Sequence, residues 1–145
     1  MIRRMLMTAL AGTLALAACS GCSGGADALR ERLAPCPGSP NCVSSLADDR
    51  HGIAPLRMSG NTVSVMNRLK AVIESMPGVD IVSVDGAYLH AVFSSRIFGF
   101  RDDLECLYVE SEGRVHIRSA SRLGYWDFGV NRRRIELLRE RIAER

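Results

Sequence analysis

Lysine is almost missing from this chain: of its 19 basic residues only Lys70 is not an arginine. Arginine suits two-pronged contacts with carboxylates and phosphates. A GC-rich genome leaves the same bias, so this feature alone selects no partner. Excess charge is missing as well. The formal net charge is +3, and Arg3 and Arg4 supply two of those charges at the start. From Cys19 onward 17 basic residues face 16 acidic ones, which argues against bulk binding to nucleic acid or to an anionic surface. No apolar run reaches the roughly 20 residues needed to cross a bilayer. Histidine is scarce and scattered. His51, His90 and His116 form no H-x-H or H-E-x-x-H arrangement, so no metal site and no cofactor is expected. Internal repeats are absent.

What is present begins at the N-terminus. Arg3-Arg4, an apolar run from Met5 and small residues ending at Cys19 follow the order of a secretory signal peptide. The end of that run, Leu16-Ala17-Ala18-Cys19, resembles the lipobox of bacterial lipoproteins. The resemblance implies cleavage after Ala18, a lipid on the Cys19 sulfur and acylation of the new N-terminus. A plain secretory signal cut at Ala18 is the rival reading. One acyl chain holds a protein only marginally, at about 0.8 kcal/mol per buried methylene, and several hold it firmly. Residues 1–18 are thus expected to be a lipoprotein signal and 19–34 a lipid-anchored tether. Residues 35–145 are expected to be a single globular domain. Within the tether, Ser20-Gly-Cys-Ser-Gly-Gly25 reads as flexible. Ser20, where Asp does not stand, resembles outer-membrane retention in a cell with two membranes.

Cysteine usage fits an oxidising compartment. Cys36 and Cys42 close the short segment Cys36-Pro-Gly-Ser-Pro-Asn-Cys42, in which two prolines favour turns. A disulfide is expected there, with a metal clip or two free thiols as the rival readings. The six-residue spacing suits no common zinc pair. Cys106 falls in a strand pattern and reads as a small buried hydrophobe. Cys22 has no readable role.

A short helix is readable over 26–34, then an irregular arm with Pro35, Pro37, Pro40 and Pro55 to about Asn61. Asn61 or Thr62 suits a helix N-cap. Val65, Leu69, Val72 and Met76 recur behind it at helical spacing, up to Pro77-Gly78. Strands are expected at Val79–Val84 and Ala87–Ser95, joined by an Asp85-Gly86 turn. Phe98–Arg101 reads as a connecting loop. Further strands are expected at Asp103–Glu110 and Val115–Ser121. In the last, Val115, Ile117 and Ser119 share one face, His116 and Arg118 the other. Leu123–Val130 is a loop, and Asn131 is placed to cap a final helix with Ile135, Leu138 and Ile142 on its apolar face. The expected class is α+β, ordered α-β-β-β-β-α. It is a four-stranded antiparallel meander with two amphipathic helices on one face and a loop-rich N-terminal arm.

Three segments resemble a known family. They are Cys36–Ser45 (CPGSPNCVSS), Ser94–Asp103 (SSRIFGFRDD) and Arg118–Arg132 (RSASRLGYWDFGVNR). They look like the domain-of-unknown-function family 1499, over roughly Pro35–Ile142. Members are typically bacterial envelope proteins, often lipoproteins, and the resemblance brings no catalytic residue with it.

Two groups of polar residues are candidates for chemistry. Asp102, Asp103 and Glu105 are the only acidic cluster. Asp103 and Glu105 share a strand face and are suited to acid–base work or cation binding, or to pairing with Arg96, Arg101, Arg118 or Arg122. His116, beside Arg118, reads as solvated. The strand-to-helix segment brings Arg118, Ser119, Ser121, Arg122, Asp127 and Asn131 together with Tyr125 and Trp126. At a helix N-terminus such a set suits a small anionic or carbohydrate-like ligand. The competing account is a structural network with Arg122 and Asp127 paired. The leading expectation is a non-enzymatic, lipid-anchored envelope domain that binds a small ligand or an envelope protein. An enzyme using Asp102, Asp103, Glu105, Arg122 and Asp127 is the alternative, and a structural envelope protein the third.

Overall fold

The computed structural model describes residues 31–144. The signal segment, Cys19, Cys22 and most of the tether lie outside the described residues. The helix expected over 26–34 is described only from Glu31, with Glu31 and Arg32 helical.

The first long element is α1 (Thr62–Glu74). Asn61 caps it, its side chain accepting from the Ser64 N–H. Glu110 adds a carboxylate that accepts from the Thr62 N–H at 2.9 Å, and negative charge is favourable at a helix start. Val65, Met66, Leu69, Val72 and Ile73 form its buried stripe, the i, i+4, i+7 spacing seen in the sequence. Pro77 then stops the helix.

The chain next runs through β3 (Val79–Asp85), β4 (Tyr88–Ser94), β5 (Arg101–Val109) and β6 (Arg114–Ser121), each antiparallel to the one before. These are the four expected strands. The sheet nevertheless has six. The arm contributes β1 (Cys42–Ser44) and β2 (Leu56–Arg57), both antiparallel to β6, with Cys42 opposite Ala120 and Leu56 opposite Val115. The element order is therefore β-β-α-β-β-β-β-α, and the four-stranded expectation is corrected. The cause is edge satisfaction. Without the arm, β6 would present a row of unpaired N–H and C=O groups. Strands of three and two residues between prolines are too short to show alternation in the sequence.

The last helix, α2 (Val130–Ala143), lies with α1 on one face of the sheet. Leu69, Ile73, Leu89, Leu104, Ile117, Ile135 and Leu138 are fully enclosed between helices and sheet. Each contributes about 1.5–3 kcal/mol by burial. Cys106 sits among them as a free thiol, and burial pushes its ionisation well above the ordinary range. On the other sheet face the arm runs along the strands. Leu33, Val92 and Leu107 are buried there, apart from the main core. Cys36 and Cys42 are joined as a disulfide. A loop this short contributes about 2 kcal/mol in the chain-entropy account.

Candidate functional site

Of the sequence-predicted residues of the β6–α2 passage, Ser119, Ser121, Asp127 and Asn131 converge and point inward, while Arg118 and Arg122 lie on the opposite sheet face. Ser119 and Ser121 alternate onto the core face of β6. Asn131 is fully buried. Its Oδ1 accepts from Ser119 Oγ at 2.6 Å and from Arg134 at 2.6 Å. Its Nδ2 donates to the Asn41 carbonyl, Ser121 Oγ and Asp127 at 3.1, 3.0 and 2.9 Å. Arg134 in turn donates to Asp102 at 2.6 Å and lies over the Phe93 ring at 4.5 Å. The cluster ties the arm, β5, β6 and α2 to one another.

Two expectations are corrected here. Asn131 does not cap α2. The cap position is Gly129, in left-handed backbone at φ 75°, and Asp127 supplies the oxygens. Its carboxylate accepts from the Gly129 N–H at 2.8 Å and the Asn131 N–H at 3.0 Å. Nor do Arg122 and Asp127 pair. Arg122 follows Ser121 onto the opposite sheet face, where it makes a two-pronged contact with Asp103 at 2.9 and 2.8 Å.

Burial pushes the Asp127 carboxyl up, but the N–H groups of Asn131 and Gly129 outweigh it and hold the value below the usual 3.8. A carboxyl depressed in the folded state contributes stability that is complete above its unfolded value and is lost as pH falls through the folded one. Asp127→Asn should therefore cost about 1 kcal/mol at neutral pH. It should also flatten the loss of stability below about pH 4. Urea titrations of both proteins across the acid range check this. An unchanged acid slope would remove Asp127 as the source.

The outer sheet face carries a second polar set. Asp103 and Glu105 share this face, as their spacing implies, while Asp102 alternates into the core side. Glu105 accepts from Arg118 at 2.7 Å and from the Tyr88 hydroxyl at 2.9 Å. His90 Nε2 lies 2.8 Å from Asp103. The Arg122 contact, aided by His90 and opposed by partial burial, holds the Asp103 carboxyl below its ordinary value. Burial and Glu105 together push the Tyr88 hydroxyl up. Each carboxylate of the 102–105 cluster thus has an arginine partner, Arg134, Arg122 and Arg118 in turn.

His116, expected to be solvated, is instead buried. The arm covers it: His116 Nδ1 lies 3.3 Å from Ser45 Oγ, and its Nε2 3.1 Å from Glu112. Ser45 Oγ also accepts from the Ile117 N–H at 2.9 Å, so this row fastens the arm to β6. His51 is also buried, its Nδ1 3.0 Å from Asp49 and its Nε2 3.1 Å from the Ser39 carbonyl. Among the described residues no group of three His, Cys, Asp or Glu stands close enough to hold a metal ion.

The unsatisfied part of the molecule lies elsewhere, at the end of the sheet where β4 passes to β5 and β6 passes to α2. Ile97, Phe98 and Phe100 on the first loop, and Leu123, Tyr125, Trp126 and Phe128 on the second, are between 52% and 86% exposed. The loops are neighbours, because the Arg122 N–H donates to the Arg101 carbonyl at 2.9 Å. Phe98 and Phe100 rings lie 5.7 Å apart, Tyr125 and Trp126 rings 5.5 Å. The backbone beneath them is held. Ser95 exchanges bonds with Phe100 and Gly99, and Asn41 Nδ2 donates to the Gly124 carbonyl at 2.6 Å. Tyr125 and Trp126 stand out in the sequence, whereas nothing local distinguishes Phe98–Arg101 from a plain connection. Only pairing of β5 with β6 brings the two loops together.

A family model described as protein of unknown function (DUF1499) matches residues 32–142. The chain belongs to that family. The match spans the disulfide loop, both aromatic loops and the buried Asn131 cluster, and so takes in nearly the whole described domain. No curated protein and no solved structure matches the chain.

Proposed function

We propose that this DUF1499 domain is a lipid-anchored binding module of the bacterial cell envelope, held by Cys19 and making its contacts through the two aromatic loops. The observation that carries the reading is the exposure of seven large apolar side chains at one end of the sheet. Exposed apolar side chains gathered at one place mark interaction sites. The carboxylates of the acidic cluster and Asn131 are spent on internal partners, which leaves the loops as the surface with unused contact capacity. The lipobox-like Leu16-Ala17-Ala18-Cys19 supports the anchor, and Ser20 supports the outer membrane in a cell with two membranes.

Cells fed labelled palmitate test the anchor, and a photoreactive phenylalanine tests the surface. Wild-type protein should take up label and Cys19→Ala should not. With the photoreactive group in place of Phe98 or Trp126, irradiation should yield an adduct. In place of Asn67, exposed on α1, it should yield none. Label entering Cys19→Ala at an unchanged level overturns the anchor. No adduct from either loop position overturns the binding surface.

A further inference from the structure

The loop end carries more than apolar side chains. Arg96 and Arg101 are exposed on the first loop and its exit, and neither has an ion pair among the described residues. Arg133 is exposed beside the second loop and donates only to the Phe128 carbonyl at 2.7 Å. The acids beside the two loops are occupied, while Asp80, two strands away on the edge strand β3, is exposed without an ion pair among the described residues. Asp102 holds Arg134, Asp103 holds Arg122, and Asp127 holds the start of α2. The surface left over is apolar at its tips and positive at its rim, although the domain as a whole is close to neutral.

We infer that the two loops are a bilayer-contact site: Phe98, Trp126 and Phe128 enter the interfacial layer of the membrane that carries the anchor, and Arg96, Arg101 and Arg133 meet anionic lipid headgroups. The inference rests on the two loops being the contact surface. Four observations select a bilayer as the occupant. Aromatic rings are the side chains that settle at a membrane–water boundary. Arginine stems lie along apolar surface while their guanidinium groups reach phosphate. The rings project from two loop tips, a shape that suits entry into lipid. Phe128 also sits in left-handed backbone, φ 52°, while 86% exposed. A bulky residue is an outlier there, and in the free domain its ring gains no packing to offset that conformation.

The geometry of the anchor permits the contact. Arg32 lies over the Tyr88 ring at 5.3 Å and 3.6 Å from Asp85, so the chain enters the domain at the end opposite the aromatic loops. The seven residues of β4 separate the two ends, about 20 Å at strand rise. Thirteen residues lead from Cys19 to Arg32, and they span at most about 43 Å. That reach is enough for the loop end to turn onto the bilayer from which the tether starts. Being anchored there keeps the loops at high local concentration near the surface, so a weak insertion is sufficient.

Trp126 is the only tryptophan of the chain, so its emission reports this loop alone. The acylated protein is reconstituted into vesicles of phosphatidylcholine, with and without one quarter phosphatidylglycerol. In the mixed vesicles the Trp126 emission should move to shorter wavelength and be quenched by lipids brominated near the headgroup. The effect should be smaller in pure phosphatidylcholine, and high salt should weaken it. Arg96→Gln with Arg101→Gln should abolish the dependence on phosphatidylglycerol. Phe98→Ser and Phe128→Ser should each lower the inserted-to-free ratio of the loop by about tenfold. Val63→Ser, an exposed site on α1, should change nothing. A water-like emission without bromine quenching in both vesicle types overturns the inference. So does a blue shift that grows with protein density and escapes bromine, which marks a second copy of the chain. A protein adduct from position 126 in cells, combined with water-like emission in vesicles, overturns the bilayer and leaves the binding surface standing. Absence of both removes the surface itself.

Discussion

Asp102→Ala should lower the stability of the domain by about 3–5 kcal/mol, the range for breaking a buried ion pair. Asp102 and Arg134 are 11% and 9% exposed at their side chains and meet at 2.6 Å. Removing the carboxylate leaves a guanidinium enclosed between Phe93, Asn131 and Ser119 with one charge uncompensated. Coulomb attraction in a poorly screened site is lost while the desolvation cost of Arg134 remains. Asp102→Leu with Arg134→Met removes both charges at similar volume and should recover most of the loss. Urea denaturation of the wild type, the single variant and the double variant decides the matter. If Asp102→Ala melts as the wild type does, the pair contributes nothing to the junction of β5, β6 and α2. The aromatic loops would then lack the rigid base assigned to them.

The second large effect is expected at Gly78. The residue is in left-handed backbone at φ 72°, and a Cβ built on it would stand 2.6 Å from the Ser94 carbonyl oxygen. Ser94 also donates to the Gly78 carbonyl at 2.7 Å, so the two backbones are locked face to face where β3 begins and β4 ends. Gly78→Ala should cost about 1–2 kcal/mol for the conformation. A further 1–3 kcal/mol, roughly, is expected for the overlap, since backbone cannot swing aside as a side chain can. Gly86, by contrast, is left-handed with open space around it. Gly86→Ala should show the conformational part alone. Thermal melts of the two variants separate strain from collision. Equal losses at both sites would mean that β4 gives way at Ser94.

The two long helices and the four long strands were readable because each carries a repeating pattern. Asn61 and the stripe from Val65 to Ile73 mark α1, and Asp85-Gly86 marks the β3–β4 hairpin. The alternation of Val115, Ile117 and Ser119 against His116 and Arg118 was correct in direction. It misjudged His116, because alternation says which face a residue takes and not what covers that face. The covering element is the arm, whose strands of three and two residues carry no period. The candidate site shows the same division. Ser119, Ser121, Asp127 and Asn131 were correctly grouped as one polar set around a strand-to-helix turn. Whether they faced a ligand or each other depended on Arg134 and on the Asn41 carbonyl, the latter 90 residues from Asn131 in the chain.

Local chemistry is short-ranged, and that sets the boundary between the two kinds of knowledge. The order of elements from α1 onward, the α+β class, the cysteine pair and the family are written in neighbouring residues and in spacings of two, four and seven. The lipobox-like stretch Leu16-Ala17-Ala18-Cys19 is likewise local. Partner choice among charges is different. Arg122 could have met Asp127, five residues on, and meets Asp103 instead, because successive residues leave a strand on opposite faces and β5 lies beside β6. The gathering of Phe98 with Trp126 and Phe128 has the same origin. Their loops stand some 30 residues apart in sequence and become one surface only when the β5–β6 ladder closes.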